Sequence, residues 1–165
     1  METLLKVKAE QKFELERATP TDREALIAMY ESFEPKGEAF GLPPRKEPWR
    51  WLDSLACFPN LIVKVEGRTI GHGVLCVEGD KGETAVFVHQ DWRSRGIGRL
   101  LLQGLIDEAR RLGLRRVWGM ADISNVVMLR LAESLGFVFS HEHGILHFEL
   151  SAEPGEGSGT ISPAA

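Results

Sequence analysis

The residues best placed to do chemistry lie in one short run, Arg93-Ser94-Arg95-Gly96-Ile97-Gly98-Arg99. Thr84-Ala85-Val86-Phe87-Val88 precedes it and is rich in the β-branched and aromatic residues that favour a strand. Leu100 to Ala109 follows, with apolar residues at helical spacing. The run therefore opens a helix, where the first backbone N–H groups lack partners and the dipole favours negative charge. Glycines let a phosphate approach the backbone, and arginines add charge-assisted hydrogen bonds. These types in this order point to a pyrophosphate-bearing ligand. Two other phosphate loops fit less well. A P-loop needs Gly-Lys followed by Ser or Thr, which does not occur here, and a dinucleotide fingerprint needs glycine where Leu101 stands.

The elements that must position this run are legible around it. The chain has 165 residues, 43% hydrophobic and 27% charged, enough for one soluble domain with a substantial core. Met1 to Lys12 reads as an arm, residues 13–150 as the folded domain, and Ser151 to Ala165, rich in Gly, Ser and Pro, as a disordered tail. Phe13 to Arg17 alternates like a strand. Thr21-Asp22-Arg23-Glu24 has capping-box spacing ahead of a stripe of Leu26, Ile27, Tyr30 and Phe33. Gly37 to Pro48 reads as a loop and Trp49 to Leu55 as a second helix. Strands over 60–66 and 69–77 meet at a Gly67-Arg68 turn, and a third follows the turn at 79–82. After the Arg/Gly helix come a strand at 116–120, a helix at 125–135 capped by Gly136, and strands at 137–140 and 145–150. The order β-α-α-β-β-β-α-β-α-β-β defines a mixed α+β class around one sheet.

Composition excludes several functions. A net charge of −4 gives no support to nucleic-acid binding, although Arg93, Arg95, Arg99, Arg110, Arg111, Arg115 and Arg116 crowd one segment. One basic patch on an acidic chain suits a small anionic ligand. No apolar run approaches the roughly 18 residues of a membrane span, and the N-terminus lacks a secretory signal. Cys57 and Cys76 form no C-x-x-C, so two reduced, buried thiols in a cytoplasmic protein are expected.

With these elements in place, the chain resembles the GNAT superfamily of acyl-CoA-dependent N-acyltransferases. Arg93-x-x-Gly96-x-Gly98 is similar to its acyl-CoA pyrophosphate loop, and Asn125-x-x-Met128 with Leu135-Gly136-Phe137 to its second motif. Within the superfamily, Gly82 to Val88 and Asn125 to Phe137 look most like the catalytic domain of bacterial protein-lysine acetyltransferases. The resemblance implies a twisted, mostly antiparallel sheet of about seven strands and transfer of acetyl from acetyl-CoA to an amine, with no metal. The favoured acceptor is a protein lysine, with a small-molecule amine or a protein N-terminus as the other candidates, and the protein is a monomer or homodimer. The resemblance also assigns residues. Backbone N–H groups of Arg93, Ser94, Arg95, Gly96, Ile97, Gly98 and Arg99 cradle the pyrophosphate. Phe87 and the Val88 backbone line the pantetheine arm, the Val88 N–H polarises the thioester carbonyl, and Asn125 and Met128 line the other side.

In many relatives a tyrosine protonates the leaving thiolate, but Ala132 occupies that position here. A thiol pKa near 8.5 lets the thiolate leave without it. The acceptor amine needs a base more, because a lysine-type amine has a pKa of about 10.4. The resemblance gives that role to Glu83; its other reading is a solvated turn residue beside Lys81. Glu78 and His72 are the alternatives. A non-catalytic acyl-CoA sensor on the same fold is the rival function, supported by the missing tyrosine. His141, Glu142 and His143 form no metal set, since no further Cys/His cluster completes one. Trp49, Trp51 and Phe40 either wall an acceptor pocket or pack the first helices, and Trp92 packs the phosphate turn.

Overall fold

The computed structural model describes residues 12–37 and 41–153. Its elements follow the expected order: β1 (Glu14–Arg17), α1 (Arg23–Glu31), α2 (Pro48–Leu55), β2 (Asn60–Val65), β3 (Arg68–Glu78), β4 (Lys81–Val88), α3 (Ile97–Arg111), β5 (Arg116–Asp122), α4 (Val126–Ser134), β6 (Val138–Glu142) and β7 (Ile145–Ser151). One seven-stranded sheet runs β1-β2-β3-β4-β5-β7-β6. Every neighbouring pair is antiparallel except β4 and β5, which are parallel over only three residue pairs, ending at Glu83 and Trp118.

Helices cover the two faces unequally. On one face α3 buries Ile97, Leu101, Leu102, Leu105, Ile106 and Ala109, the apolar stripe legible in the sequence. It lies close because β3 presents glycine beneath it. A Cβ at Gly73 would lie 3.2 Å from Leu105 Cδ1, so a larger residue would push the helix away. On the other face α1 and α2 pack Leu26, Met29, Tyr30, Phe33 and Leu52 over Ile62 and Phe87. Among the described residues no helix covers the β5–β7 part of that second face, and Trp118 and His147 there stack on each other 5.6 Å apart.

Several boundaries differ from expectation, each for a local reason. The first helix is entered two residues earlier: the Thr19 N–H donates to Asp22 Oδ2 at 2.8 Å, and Pro20 begins a single 3₁₀ turn. The β2–β3 turn is Glu66-Gly67, at φ of +48° and +76°, because a two-residue hairpin turn of this hand needs positive φ at both positions. The β3–β4 turn contracts to Gly79-Asp80, with Glu78 opposite Lys81. β6 runs on to Glu142, so His141 and Glu142 are strand residues and the turn is His143-Gly144. β7 ends at Ser151 and Ala152 is buried, its N–H donating to the Arg115 carbonyl, so the fold continues past Leu150. The tail from 154, the arm over 1–11 and Phe40 lie outside the described residues. Cys57 is exposed, not buried, because it falls on the turn after α2; Cys76 is half-buried on β3. No described helix is long and apolar enough to cross a membrane.

Candidate active site

Where β4 and β5 part, the backbone ladder ends and a side chain takes over. The Thr84 hydroxyl donates to the Trp118 carbonyl at 3.2 Å, and from there β4 runs on to Val88 without β5 beside it. The parted strands leave a cleft in the sheet between β4 and β5 beyond Glu83 and Trp118. At the end of β4 the chain makes a 3₁₀ turn at Gln90–Trp92 and enters the Arg/Gly run.

That run is shaped for an anion. Ser94 has φ +62° and Gly96, the residue capping α3, has φ +82°. Left-handed residues alternating with others turn successive N–H groups inward, and the positive end of α3 adds to the field. Holding a serine in that region costs about 1–3 kcal/mol, so neighbouring contacts must fix it. Arg93 supplies them: its Nε donates to the Val88 carbonyl at 3.0 Å and its Nη2 to the Glu34 carbonyl at 2.6 Å. The Arg95 guanidinium lies 4.8 Å from the centre of the Trp92 ring, and Trp92 packs edge-on to Phe13 at 6.2 Å. Arg99 Nη1 donates to Ser134 Oγ at 2.8 Å, tying α3 to α4. A Cβ at Gly98 would lie 3.4 Å from Leu131 and 3.9 Å from Val88, so Gly98 faces the gap between α4 and β4.

The sequence-expected residues divide accordingly. Residues 93–99 and Val88 come together at one end of the cleft. The seven arginines do not form one patch. α3 is 15 residues long, which separates its ends by about 20 Å. Arg110, Arg111, Arg115 and Arg116 therefore sit at the far end, in ion pairs with Asp107, Glu108, Glu153 and Glu149. Asn125 caps α4, its Oδ1 accepting the Met128 N–H at 3.1 Å, and half-buried Met128 packs on the core. The Phe87 side chain points the other way, into the cluster under α1 and α2, leaving only its backbone for the cleft. Ala132 is fully buried, so α4 brings no acid to the cleft from that position.

On the opposite face, strand register sets side chains in rows. Glu83 stands between Cys76 of β3 and Trp118 of β5, and the next row holds Val74, Ala85, Met120 and His147. Half-burial pushes the Glu83 carboxyl up from its ordinary value. A hollow of about 550 Å³, walled by Glu78, Asp80, Lys81, Arg116, Trp118, His147 and Glu149, lies at the paired start of β4 and β5; Glu83 does not line it. Glu78 is exposed at the hollow's rim. Of the alternative bases, His72 is removed by its surroundings. It is fully buried, its pKa lowered to about 3 by desolvation, and both ring nitrogens are engaged. Asn60 Nδ2 donates to the carbonyls of Leu55 and Phe58, so its Oδ1 accepts from His72 Nε2 at 2.7 Å. That leaves His72 Nδ1 to accept from the Tyr30 hydroxyl at 2.6 Å. Trp51 belongs to the same packed cluster, 5.1 Å from Tyr30 and 5.3 Å from Phe87, whereas Trp49 is exposed. Sequence reasoning missed Gln90, which clamps the residues after α1. Nothing in its local sequence marks it, since its partners are 56 and 58 positions away.

Comparison with known proteins settles the family. The profile of the acetyltransferase (GNAT) family matches residues 23–137. The chain belongs to the GNAT family. It is 34% identical over 96 residues to the L-amino acid N-acyltransferase MnaT of Escherichia coli, a match covering 54% of this chain and 56% of MnaT. It thus spans about half the length of that relative. Among solved structures, the Salmonella typhimurium protein yncA, determined with its cofactor acetyl-CoA, superposes with a TM-score of 0.71 at 22% identity, over 90% of this chain and 98% of that one. The ribosomal-protein-alanine N-acetyltransferase of Brucella melitensis superposes with a TM-score of 0.68 at 25% identity, over 84% of this chain and 99% of that one.

Proposed function

We propose that this GNAT protein transfers acetyl from acetyl-CoA to a primary amine by direct attack within a ternary complex. The observation that carries the reading is the parting of β4 and β5 after Glu83, with an anion-shaped loop at one end of the cleft and Glu83 on the opposite face. Acetyl-CoA fits this arrangement as a substrate. The open Gly96 corner leaves room for backbone approach, and the loop N–H groups would hold the pyrophosphate. The Val88 backbone would line the pantetheine arm, with Asn125 and Met128 on the α4 side. Glu83, directly or through water, takes the proton from the acceptor ammonium. The amine nitrogen then attacks the thioester carbonyl, the C–S bond breaks, the thiolate leaves, and the second nitrogen-bound proton passes to water. With buried Ala132 where relatives carry an acid, the thiolate leaves unprotonated or takes a proton from solvent.

The motif likeness favours a lysine acceptor. The activities named for MnaT and for the alanine N-acetyltransferase instead concern amino acids and an alanine; a chain-terminal α-amine ionises at about 7.7–8.0 and demands less of a base than a lysine. Release of free CoA from acetyl-CoA, measured with a panel of L-amino acids, lysine peptides, alanine-terminated peptides and polyamines, tests the reading. Acceptor-dependent release with one class supports it. Tight acetyl-CoA binding with no acceptor raising release above background would give the protein to the sensor function.

A further inference from the structure

Ser32, Phe33 and Glu34 follow α1, and three residues of the β4–α3 connection hold them. Gln90 Nε2 donates to the Ser32 carbonyl at 2.6 Å, while its Oε1 accepts the Glu34 N–H at 2.9 Å. One side-chain amide thus grips the backbone on both sides of Phe33. Arg93 donates to the Glu34 carbonyl at 2.6 Å, and its guanidinium carbon lies 5.4 Å from the centre of the Phe33 ring. His89 Nδ1 accepts the Asp91 N–H at 3.3 Å, so its Nε2 donates to Ser32 Oγ at 2.9 Å. Phe33 itself is 3% exposed and meets Phe87 of β4 at 6.3 Å and Tyr30 at 5.5 Å. Phe87 shares the face of Glu83, two rows further along β4. The segment that sets this end of the acceptor side is therefore held by the chain that begins the phosphate loop.

We infer that Gln90 is a positioning residue that couples occupancy of the phosphate loop to the acceptor side of the sheet through Phe33. The inference rests on the proposed binding of pyrophosphate at residues 94–99. A ligand held by the loop amides selects the geometry in which Ser94 is left-handed, and so fixes Arg93 and the turn carrying Gln90. With Gln90 fixed, Ser32 and Glu34 lose freedom, and the buried Phe33–Phe87 packing beneath α1 is already ordered when an amine reaches the Glu83 face. The coupling is reciprocal, so an acceptor that favours the ordered segment tightens the cofactor equally.

Residue-resolved amide hydrogen exchange of the whole chain by NMR, with CoA as the probe, tests this without knowledge of the acceptor. In the wild type, saturating CoA should slow exchange at residues 94–99 and, by about tenfold or more, at the Glu34 amide. Gln90→Ala should keep the effect at 94–99 and lose it at Glu34. Gln90→Glu, which keeps an acceptor for the Glu34 N–H but sets a carboxylate oxygen against the Ser32 carbonyl, should lose it too. A merely structural Gln90 would speed Glu34 exchange equally with and without CoA, and that result overturns the coupling. Slowing at 94–99 but not at Glu34 in the wild type also overturns it, while leaving the proposed function intact. No slowing at 94–99 overturns the phosphate-loop reading and the coupling together. With the best acceptor from the amine panel, Gln90→Ala should raise the amine KM at saturating acetyl-CoA and the acetyl-CoA KM at saturating amine by the same factor, about tenfold, while leaving CoA affinity without acceptor within about twofold.

Discussion

Replacing Glu83 by glutamine keeps the shape of the side chain and removes its charge, which separates a base from a structural residue. The carboxyl sits half-buried between Cys76 and Trp118, and burial raises its pKa above the ordinary glutamate value of 4.5. A carboxyl that is raised in the folded state binds more protons there than in the unfolded chain. Stability therefore falls as pH rises from about 4.5 through the raised value and stays at the lower level above it. Glu83→Gln should thus leave Tm at pH 7 unchanged or slightly higher, whereas removal of a stabilising contact would lower it. For turnover, a positioned base contributes about 10²–10⁴-fold, or roughly 3–5 kcal/mol of activation free energy. Solvent reaching a carboxyl that is only half-buried can partly substitute, which places the expected loss in kcat nearer 10². A lysine acceptor, under a thousandth deprotonated at pH 7, should suffer more than an α-amine, about a tenth deprotonated. Steady-state kinetics by CoA release across pH 5–9, with calorimetric acetyl-CoA affinity and Tm alongside, reads all three quantities. The acidic limb of log kcat should vanish in the variant while the affinity is retained. Wild-type kcat with an unchanged limb, or a parallel loss of affinity and Tm, would refute the reasoning.

Three further outcomes follow from the same geometry. Tyr30→Phe takes the only proton donor from His72 Nδ1 in a fully buried site, so it should cost about 1–3 kcal/mol in urea or thermal unfolding without moving the kinetic pH profile. His72, lowered to about 3 from 6.5, makes the fold acid-sensitive. The unfolded chain takes up a proton that the folded chain refuses, so stability should fall by up to about 1.4 kcal/mol per pH unit between pH 6.5 and 3, a slope His72→Gln should flatten in pH-dependent urea melts. Glu108 is lowered chiefly by Arg111, with Arg17 bonded to both its oxygens at 2.8 and 2.6 Å. Its contribution is present above about pH 4.5 and lost as pH falls below it, so Glu108→Gln should destabilise the protein by about 1–3 kcal/mol at pH 7 and by less at pH 3.

What could be read from sequence was set locally. The stripe from Ile97 to Ala109 and the β-branched runs of β2 to β4 determine their own elements, so the element order emerged whole. The glycines and arginines of 93–99 are adjacent in sequence, and their shared place at the head of α3 followed. Non-local features did not show. His72 reads as a possible base until Tyr30 and Asn60, 42 and 12 positions away, are seen to occupy both its nitrogens. Arg93 reads as a phosphate ligand until the carbonyls of Val88 and Glu34 claim its donors. The arginines read as one patch because sequence does not show that a helix carries Arg99 and Arg111 to opposite ends of the molecule. Turn registers slipped by one or two residues because Glu66-Gly67 and Gly67-Arg68 differ only in which residue accepts a positive φ.

The central claim is that the backbone of residues 93–99 holds the pyrophosphate of acetyl-CoA, and Gly96 is the exposed left-handed corner at the head of α3. Gly96 has φ +82° with no atom near an added Cβ, so Gly96→Ala introduces no clash. It acts through conformation alone, since a left-handed alanine costs about 1–2 kcal/mol and draws the loop N–H groups away from their focus. Calorimetric titration of acetyl-CoA into wild type and Gly96→Ala, with near-identical circular dichroism for the two, measures this directly. The account predicts saturable binding to the wild type and affinity at least about fivefold weaker in the variant. Equal affinity in a folded Gly96→Ala variant, or no binding to the wild type, would contradict it.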